Sequence, residues 1–492
     1  MRRTISFILL TGFLLAGVPA YADAPGDVTT ALESMKQQMT QMQETISRQS
    51  QKIQDLESRV AGEPARPSIP LEPQKIQASD IPDSEWQKGI KDNVGEVVTW
   101  LKGLKFGGDM RLRTESFSYF DKATETGAAT DRSRNRFRLR LRYGFEKDYG
   151  DDWKLGFRMA TATAGTNGVA TDNTSTNVTF SNPGFFTYKN IYIDRAYATY
   201  TPNGLKDYGP IQGVTIGAGK FDNPFLRYST PIVWDGDVTP EGVYERIDFK
   251  LVNSEETQLN LQGTAGQFLV NENSGWETDA QIFGWQGAVN LSTYRFGTDL
   301  PVDFSTAVSF YDYPNFSQTI GSTNTTSTSF LRTNTSALDN PRVLDIYPEI
   351  VFYVDRWPVT LFYNHVDNIG EIRDSLIDTN QIHGEDTAWG LGARLGKLKN
   401  QGDWEFHYAY YRIGANAVVA AFNDSDFGGP GGAGFTNRYG HKFGVGWQFA
   451  KYAALSWTGY LVTPEDVVTS AVAANAADES VFRSQFDVLW KF

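Results

Sequence analysis

From Leu104 onward the chain alternates. Phe137, Leu139, Leu141, Tyr143 and Phe145 interleave with Arg136, Arg138, Arg140, Arg142 and Gly144. Trp153, Leu155, Phe157 and Met159 interleave with Lys154, Gly156, Arg158 and Ala160, and Ile247, Phe249 and Leu251 with Arg246, Asp248 and Lys250. Successive side chains of a strand point to opposite faces, so a period of two means strands with one apolar and one polar face. Sixteen such segments can be placed, at 104–118, 132–146, 152–162, 189–200, 212–220, 241–252, 256–269, 278–292, 302–313, 342–354, 358–367, 386–397, 403–413, 438–450, 453–462 and 480–492. The fourth has an ambiguous register, because adjacent Asp194 and Arg195 must face opposite sides of a regular strand.

The connections alternate as well. Long ones, such as 163–188, 314–341 and 414–437, are rich in Gly, Asn, Ser and Thr, whereas Lys147–Asp151, Asn253–Glu255, Asp355–Trp357, Leu398–Gly402 and Lys451–Tyr452 are short. A soluble sandwich has no reason to gather its long loops at one end. A 16-stranded antiparallel transmembrane β-barrel does, with short periplasmic turns, long outer loops and an even strand count. Strands of about ten residues match a tilted bilayer span. Composition agrees: 32 Phe, 23 Tyr and 12 Trp sit in a chain that is hydrophilic on average. Tyr143, Phe145, Trp153, Trp357, Trp404, Phe449, Tyr452, Trp490 and Phe492 fall at short-turn ends, where an aromatic girdle meets the headgroups.

The N-terminus reads as an address followed by an assembly device. Arg2 and Arg3, the apolar stretch Ile5–Val18 and Ala20-Tyr21-Ala22 form a secretory signal peptide over 1–22. Leu32, Met39, Ile46, Ile53 and Val60 occupy one heptad position, and Val28, Met35, Met42 and Leu56 the other, with Gln49 as the polar interruption. The segment 23–62 is therefore expected to be an α-helical coiled coil whose partners are identical chains. Its mixed seam leaves dimer or trimer open. Pro64, Pro67, Pro70 and Pro73 begin a semi-rigid linker over 63–103, with a short helix expected around Trp86–Trp100. The barrel takes 104–492.

These features together resemble bacterial outer-membrane porins. The run Ile216-Gly217-Ala218-Gly219-Lys220-Phe221-Asp222-Asn223-Pro224-Phe225, after Ile193-Asp194-Arg195-Ala196-Tyr197, resembles the putative-porin family and its anion-selective relatives. The resemblance covers about 104–492. It implies a homotrimer in outer-membrane lipid, with the terminal alternation Phe486, Val488, Trp490, Phe492 read by the barrel-assembly machinery. It also implies that the connection Phe221–Pro240 folds into the lumen as a constriction loop, carrying Asp222, Arg227, Asp235 and Asp237, with Glu241 beside it.

If the apolar set faces lipid, the alternate set faces the lumen. Arg111, Arg113, Arg134, Arg136, Arg138, Arg140, Arg142, Lys154 and Arg158 then form a basic wall on three adjacent strands. Acids in the same register, Asp109, Glu115, Glu146 and Asp152, are expected towards the strand ends. A basic wall opposite an acidic inward loop sets a transverse field, favouring passive diffusion of small hydrophilic solutes or ions. The alternative is a phosphate- or carboxylate-selective channel using the arginines in series. A second alternative is a tether or adhesin in which the coiled coil reaches towards peptidoglycan.

Other classes are excluded by chemistry. Without cysteine there is no disulfide scaffold, thiolate metal site or cysteine nucleophile. A net charge of −13 argues against a nucleic-acid partner. His365, His383, His407 and His441 lack ligand spacing, and there is no H-E-x-x-H, G-x-S-x-G or phosphate-loop motif, so no enzyme, metal or cofactor is expected. Gly390-Leu391-Gly392-Ala393-Arg394-Leu395-Gly396 lies within an alternating strand and is not a dinucleotide loop. Asp424 and Asp426 are expected in a solvated outer loop.

Overall fold

The computed structural model describes Gln51 and residues 101–120, 133–150, 152–163, 172–182, 184–228, 230–272, 279–294, 300–316, 338–372, 385–428, 436–465 and 480–492. The signal peptide, all of the coiled-coil segment but Gln51 and nearly all of the linker lie outside the described residues.

Sixteen long strands form the wall: β1 (Leu104–Phe120), β2 (Arg134–Asp148), β3 (Trp153–Thr161), β4 (Ile191–Tyr200), β5 (Ile211–Lys220), β6 (Glu241–Asn253), β7 (Thr257–Asn271) and β8 (Ala280–Thr293). The remainder are β9 (Val302–Asp312), β10 (Arg342–Val354), β11 (Trp357–Asn368), β12 (Thr387–Gly396), β13 (Trp404–Ile413), β14 (Arg438–Ala450), β15 (Ala453–Pro464) and β16 (Ser480–Lys491). Each pairs antiparallel with its chain neighbour, and β16 returns to pair with β1. Closure leaves no open edge, the condition for a sheet to stand in lipid.

The seam is tied by the last residue. The Gly108 and Phe492 backbones exchange hydrogen bonds of 2.9 and 3.1 Å. A β-carbon at Gly108 would collide with the Arg142 carbonyl oxygen and also fall 2.8 Å from the Phe492 ring, so glycine is required where β1 meets both.

Alternation sends one residue set outward and the next inward. Phe137, Tyr143, Phe145, Trp153, Trp404, Phe486 and Phe492 are exposed on the outer face. Short-turn rings pack there, Trp404 stacked on Trp447 at 5.7 Å and Trp153 tilted against Tyr200 at 4.8 Å. On β16 the outward set is Phe482, Ser484, Phe486, Val488 and Trp490, while Val481, Arg483, Gln485 and Asp487 are buried inside.

The register of β4 is settled by a bulge. Arg158 pairs with Arg195 and Met159 with Ile193, so Asp194 is the extra residue. A bulge re-aims a side chain. Here it turns Asp194 and Arg195 both into the lumen, against the expectation from strict alternation.

Candidate functional site in the lumen

Among the described residues, three segments fold into the interior from long connections. The first, 172–182, lays Val178–Thr179 beside β2, pairing with Leu139 and Arg138. The second is the β5–β6 connection, 221–240. The third, 414–428, joins β13 to β14; it was expected in solvent, but Ala417, Val418, Val419 and Phe427 are buried. The segments interlock through backbone bonds, Asp235 N–H to Phe422 O at 2.6 Å and Asp424 N–H to Pro231 O at 3.0 Å. Asn173 Nδ2 donates to Ala421 O, and Ser425 Oγ to Thr174 O.

One side of this plug meets charge. Arg113 donates to Asp487 at 2.7 and 2.9 Å and to Asp426 at 3.1 Å. Arg483 of β16 donates to Glu115 at 2.8 Å and to the Ser425 and Asp426 carbonyls at 2.9 Å. Arg136 also donates to Glu115, and Arg138 lies 3.9 Å from it. Arg111 reaches Asn177 at 2.7 Å, while Arg138 bonds Ser175 and the Asn177 carbonyl. Asp109 accepts from Arg140 at 2.9 Å and Arg142 at 2.7 Å, and Arg142 also reaches Asp237 at 3.2 Å. Arg158 pairs with Asp194, and Arg195 with Asp222.

The wall therefore differs from its expected form in three ways. Glu115 and Asp109 stand among the guanidiniums, because β1 and β2 pair with Glu115 opposite Arg136 and Asp109 opposite Arg142. Lys154 is at the short-turn end, mostly exposed, 3.5 Å from Asp148. Arg134 is exposed at the other end of β2. Of the constriction-loop candidates, Asp237 touches the wall directly, Arg227 lies over the Tyr228 ring at 5.0 Å, and Glu241 pairs with Lys220 at 2.8 Å. Sequence reading missed Arg195, Arg483 and Asp426; the inward alternation of β16 carried the signal for Arg483.

The loop carboxyls divide by surroundings. Burial raises Asp426, but Arg483, Arg113, Arg111 and Arg138 hold its carboxyl well below the ordinary value. Burial likewise opposes ionisation of Asp237, and Arg140, Arg142 and Arg111 pull it down. Asp235 is pushed well up by burial and by Asp424 and Asp237. Asp424 is also raised by burial, with Asp426 adding to it and Lys442, 3.9 Å away, opposing.

The opposite side of the plug meets rings. Trp234 packs on Tyr311 at 5.4 Å and Phe422 at 5.6 Å, and Phe225 on Tyr311 at 5.3 Å and Phe268 at 5.8 Å. Val343, Val366, Ala388 and Ile413 close the cluster from the barrel wall. Towards the short turns the lining becomes polar: Gln262 donates to Asp248 at 2.6 Å, Ser305 to Asn290 at 2.8 Å and Tyr347 to Glu349 at 2.6 Å. Among the described residues no group of His, Asp or Glu has metal-ligand geometry.

A closed barrel with a charged, partly plugged lumen suits a channel, and comparison with known families decides which. The model of a family described as putative porin matches residues 124–343 and 352–481, well over half of the chain. The chain belongs to the putative porin family. Its fold and family make this porin an outer-membrane channel. Among solved structures it is similar to Pseudomonas putida OprB at high pH, at 9% identity over 82% of this chain and 97% of that one, with a TM-score of 0.44. Salmonella typhi OmpF in complex with daunomycin matches at 8% identity over 79% and 97%, TM-score 0.41. The outer membrane channel DcaP of Acinetobacter baumannii matches at 12% identity over 79% and 97%, TM-score 0.38. At these scores the family match, not the structural likeness, carries the assignment. No curated protein matches this porin.

Proposed function

We propose that this porin passes small hydrophilic solutes and ions by passive diffusion, with weak charge selectivity. The observation that carries this reading is the pairing of the arginine wall. Arg113, Arg136, Arg140, Arg142 and Arg158 each have a carboxylate partner, drawn from Asp487, Asp426, Glu115, Asp109, Asp237 and Asp194. Paired charges leave a transverse field of short range, whereas strong anion selectivity needs an uncompensated column. Reversal potentials of the purified protein in a potassium chloride gradient across a planar bilayer are expected to shift only mildly. A strongly anionic reversal, abolished by Arg138→Ala with Arg140→Ala, supports the anion-selective alternative instead.

Assembly follows the same reading. Identical chains form a trimer, the coiled coil stands in the periplasm, and Phe486, Val488, Trp490 and Phe492 on the outer face of β16 serve as the assembly signal. Deleting residues 23–75 is expected to leave a conducting barrel whose oligomer melts at lower temperature. Loss of conductance in an inserted, deleted barrel assigns transport beyond the barrel and overturns this part.

A further inference from the structure

Two lumenal cavities lie one above the other along β2 to β5. The cavity towards the long loops, about 450 Å³, is lined by Asp172, Thr176, Asp194, Lys220, Asp237 and Glu241 among others. The one towards the short turns, about 340 Å³, is lined by Asp109, Arg142, Glu146, Arg158, Arg195 and Tyr197 among others. They share no lining residue. Two ion pairs bridge the boundary, and each has its acid in the upper cavity and its guanidinium in the lower: Arg142 with Asp237, 3.2 Å apart, and Arg158 with Asp194.

We infer that the permeation path is pinched at this septum of Arg142, Arg158, Asp194 and Asp237, where a passing small carboxylate or phosphate exchanges places with the protein's own carboxylates. The inference rests on the channel reading and names its constriction.

Three observations support it. Among the described residues the lumen at this level is packed on one side by Trp234, Phe225 and Tyr311 and on the other by fully buried Arg483 and Glu115. A hydrophilic solute does not cross an apolar packed core. The bulge at Asp194 is a second sign, since a regular β4 sends that carboxylate out towards lipid. Third, the septum carries more donors than acceptors. Arg158 Nη2 and Arg195 Nε are buried without a hydrogen-bond partner. An oxyanion that parts the ion pairs meets free N–H groups on planar guanidiniums suited to carboxylate and phosphate.

The order of charge matters for direction of entry. A solute from the long-loop side meets an acid-rich cavity first and a guanidinium-rich one second. Cations gather above the septum and anions below, and both species must part the same two pairs.

The test is single-channel recording of the full-length protein in potassium chloride and potassium acetate gradients. Asp194→Asn is expected to raise anion over cation permeability at least about twofold, while Asp148→Asn, exposed at the short turn after β2, leaves it unchanged. Should Asp194→Asn fail to insert, the neutral pair Asp194→Asn with Arg158→Gln is expected to insert and conduct more than wild type. The chain has no cysteine, so Asp194→Cys supplies an independent readout: a cationic methanethiosulfonate is expected to lower its conductance stepwise, and not that of Asp148→Cys. Equal responses at the two positions, or no response at Asp194, overturn the septum while wild-type conductance keeps the channel reading intact. An inserted wild-type barrel that passes no current overturns the channel reading itself.

Discussion

On the side of β16, β1 and β2 the plug is held by buried ion pairs; on the side of β7 to β13 it is held by rings. Both surfaces are buried, yet they fail differently. A buried ion pair is stable only as a complete set, because removal of one partner strands a charge in low dielectric. A ring cluster loses stability in proportion to the volume removed. The charged grip therefore fixes where the third inward segment sits, and the aromatic grip supplies area with little demand on position.

The largest effect is expected at Glu115. Glu115→Ala strands Arg136, takes one of two carboxylates from Arg483, and is expected to cost about 3–5 kcal/mol of barrel stability, read as a lower unfolding temperature on heated gels. An unchanged melting temperature removes the distinction between the two grips. Trp234→Ala comes next, at about 3 kcal/mol. That loss falls on the plug, so conductance and open-state noise rise while the barrel melts nearly as before.

A smaller, pH-dependent effect separates the loop carboxyls. Asp235 and Asp424 are raised in the docked plug, so docking binds protons. Their contribution is full below the ordinary value of 3.8 and is lost as pH rises through their docked values. Asp426 is lowered, so its contribution holds above 3.8 and is lost as pH falls through its docked value. Channel noise is expected to grow as pH rises above 3.8 through the docked values of Asp235 and Asp424, and to grow less in Asp235→Asn. A rise of equal size in that variant removes the assignment. The smallest effect belongs to Lys154. Its partner Asp148 is exposed at a short turn, and Lys154→Ala is expected to leave selectivity and melting unchanged; a measurable shift in reversal potential returns it to the wall.

These contrasts also mark what a sequence can disclose. Strand positions were legible to within a few residues, since a period of two is written in adjacent side chains. The inward direction of Arg136 to Arg142 was legible for the same reason. Their partners were not: Arg113 meets Asp487 across 374 positions, and nothing local selects that pairing. The run Ala417-Val418-Val419-Ala420-Ala421-Phe422 sits between glycine, asparagine and aspartate residues that suggest solvent, yet six apolar residues in an outer loop were themselves a sign of burial. At Asp194 the conflict with alternation was visible, and a bulge was the physical answer.

The seam between β1 and β16 has a consequence in time. Arg113 lies on β1, Asp487 and Arg483 on β16, and Asp426 on the third inward segment, so the pocket that receives Asp426 is incomplete until the first and last strands meet. Pairings this distant in sequence form late. Zipping the cylinder shut and locking its stopper are thus one event, and a barrel caught before that event is an unfastened tube, its stopper held by the aromatic side and by the contacts that β2 makes with Asp237 and Ser175.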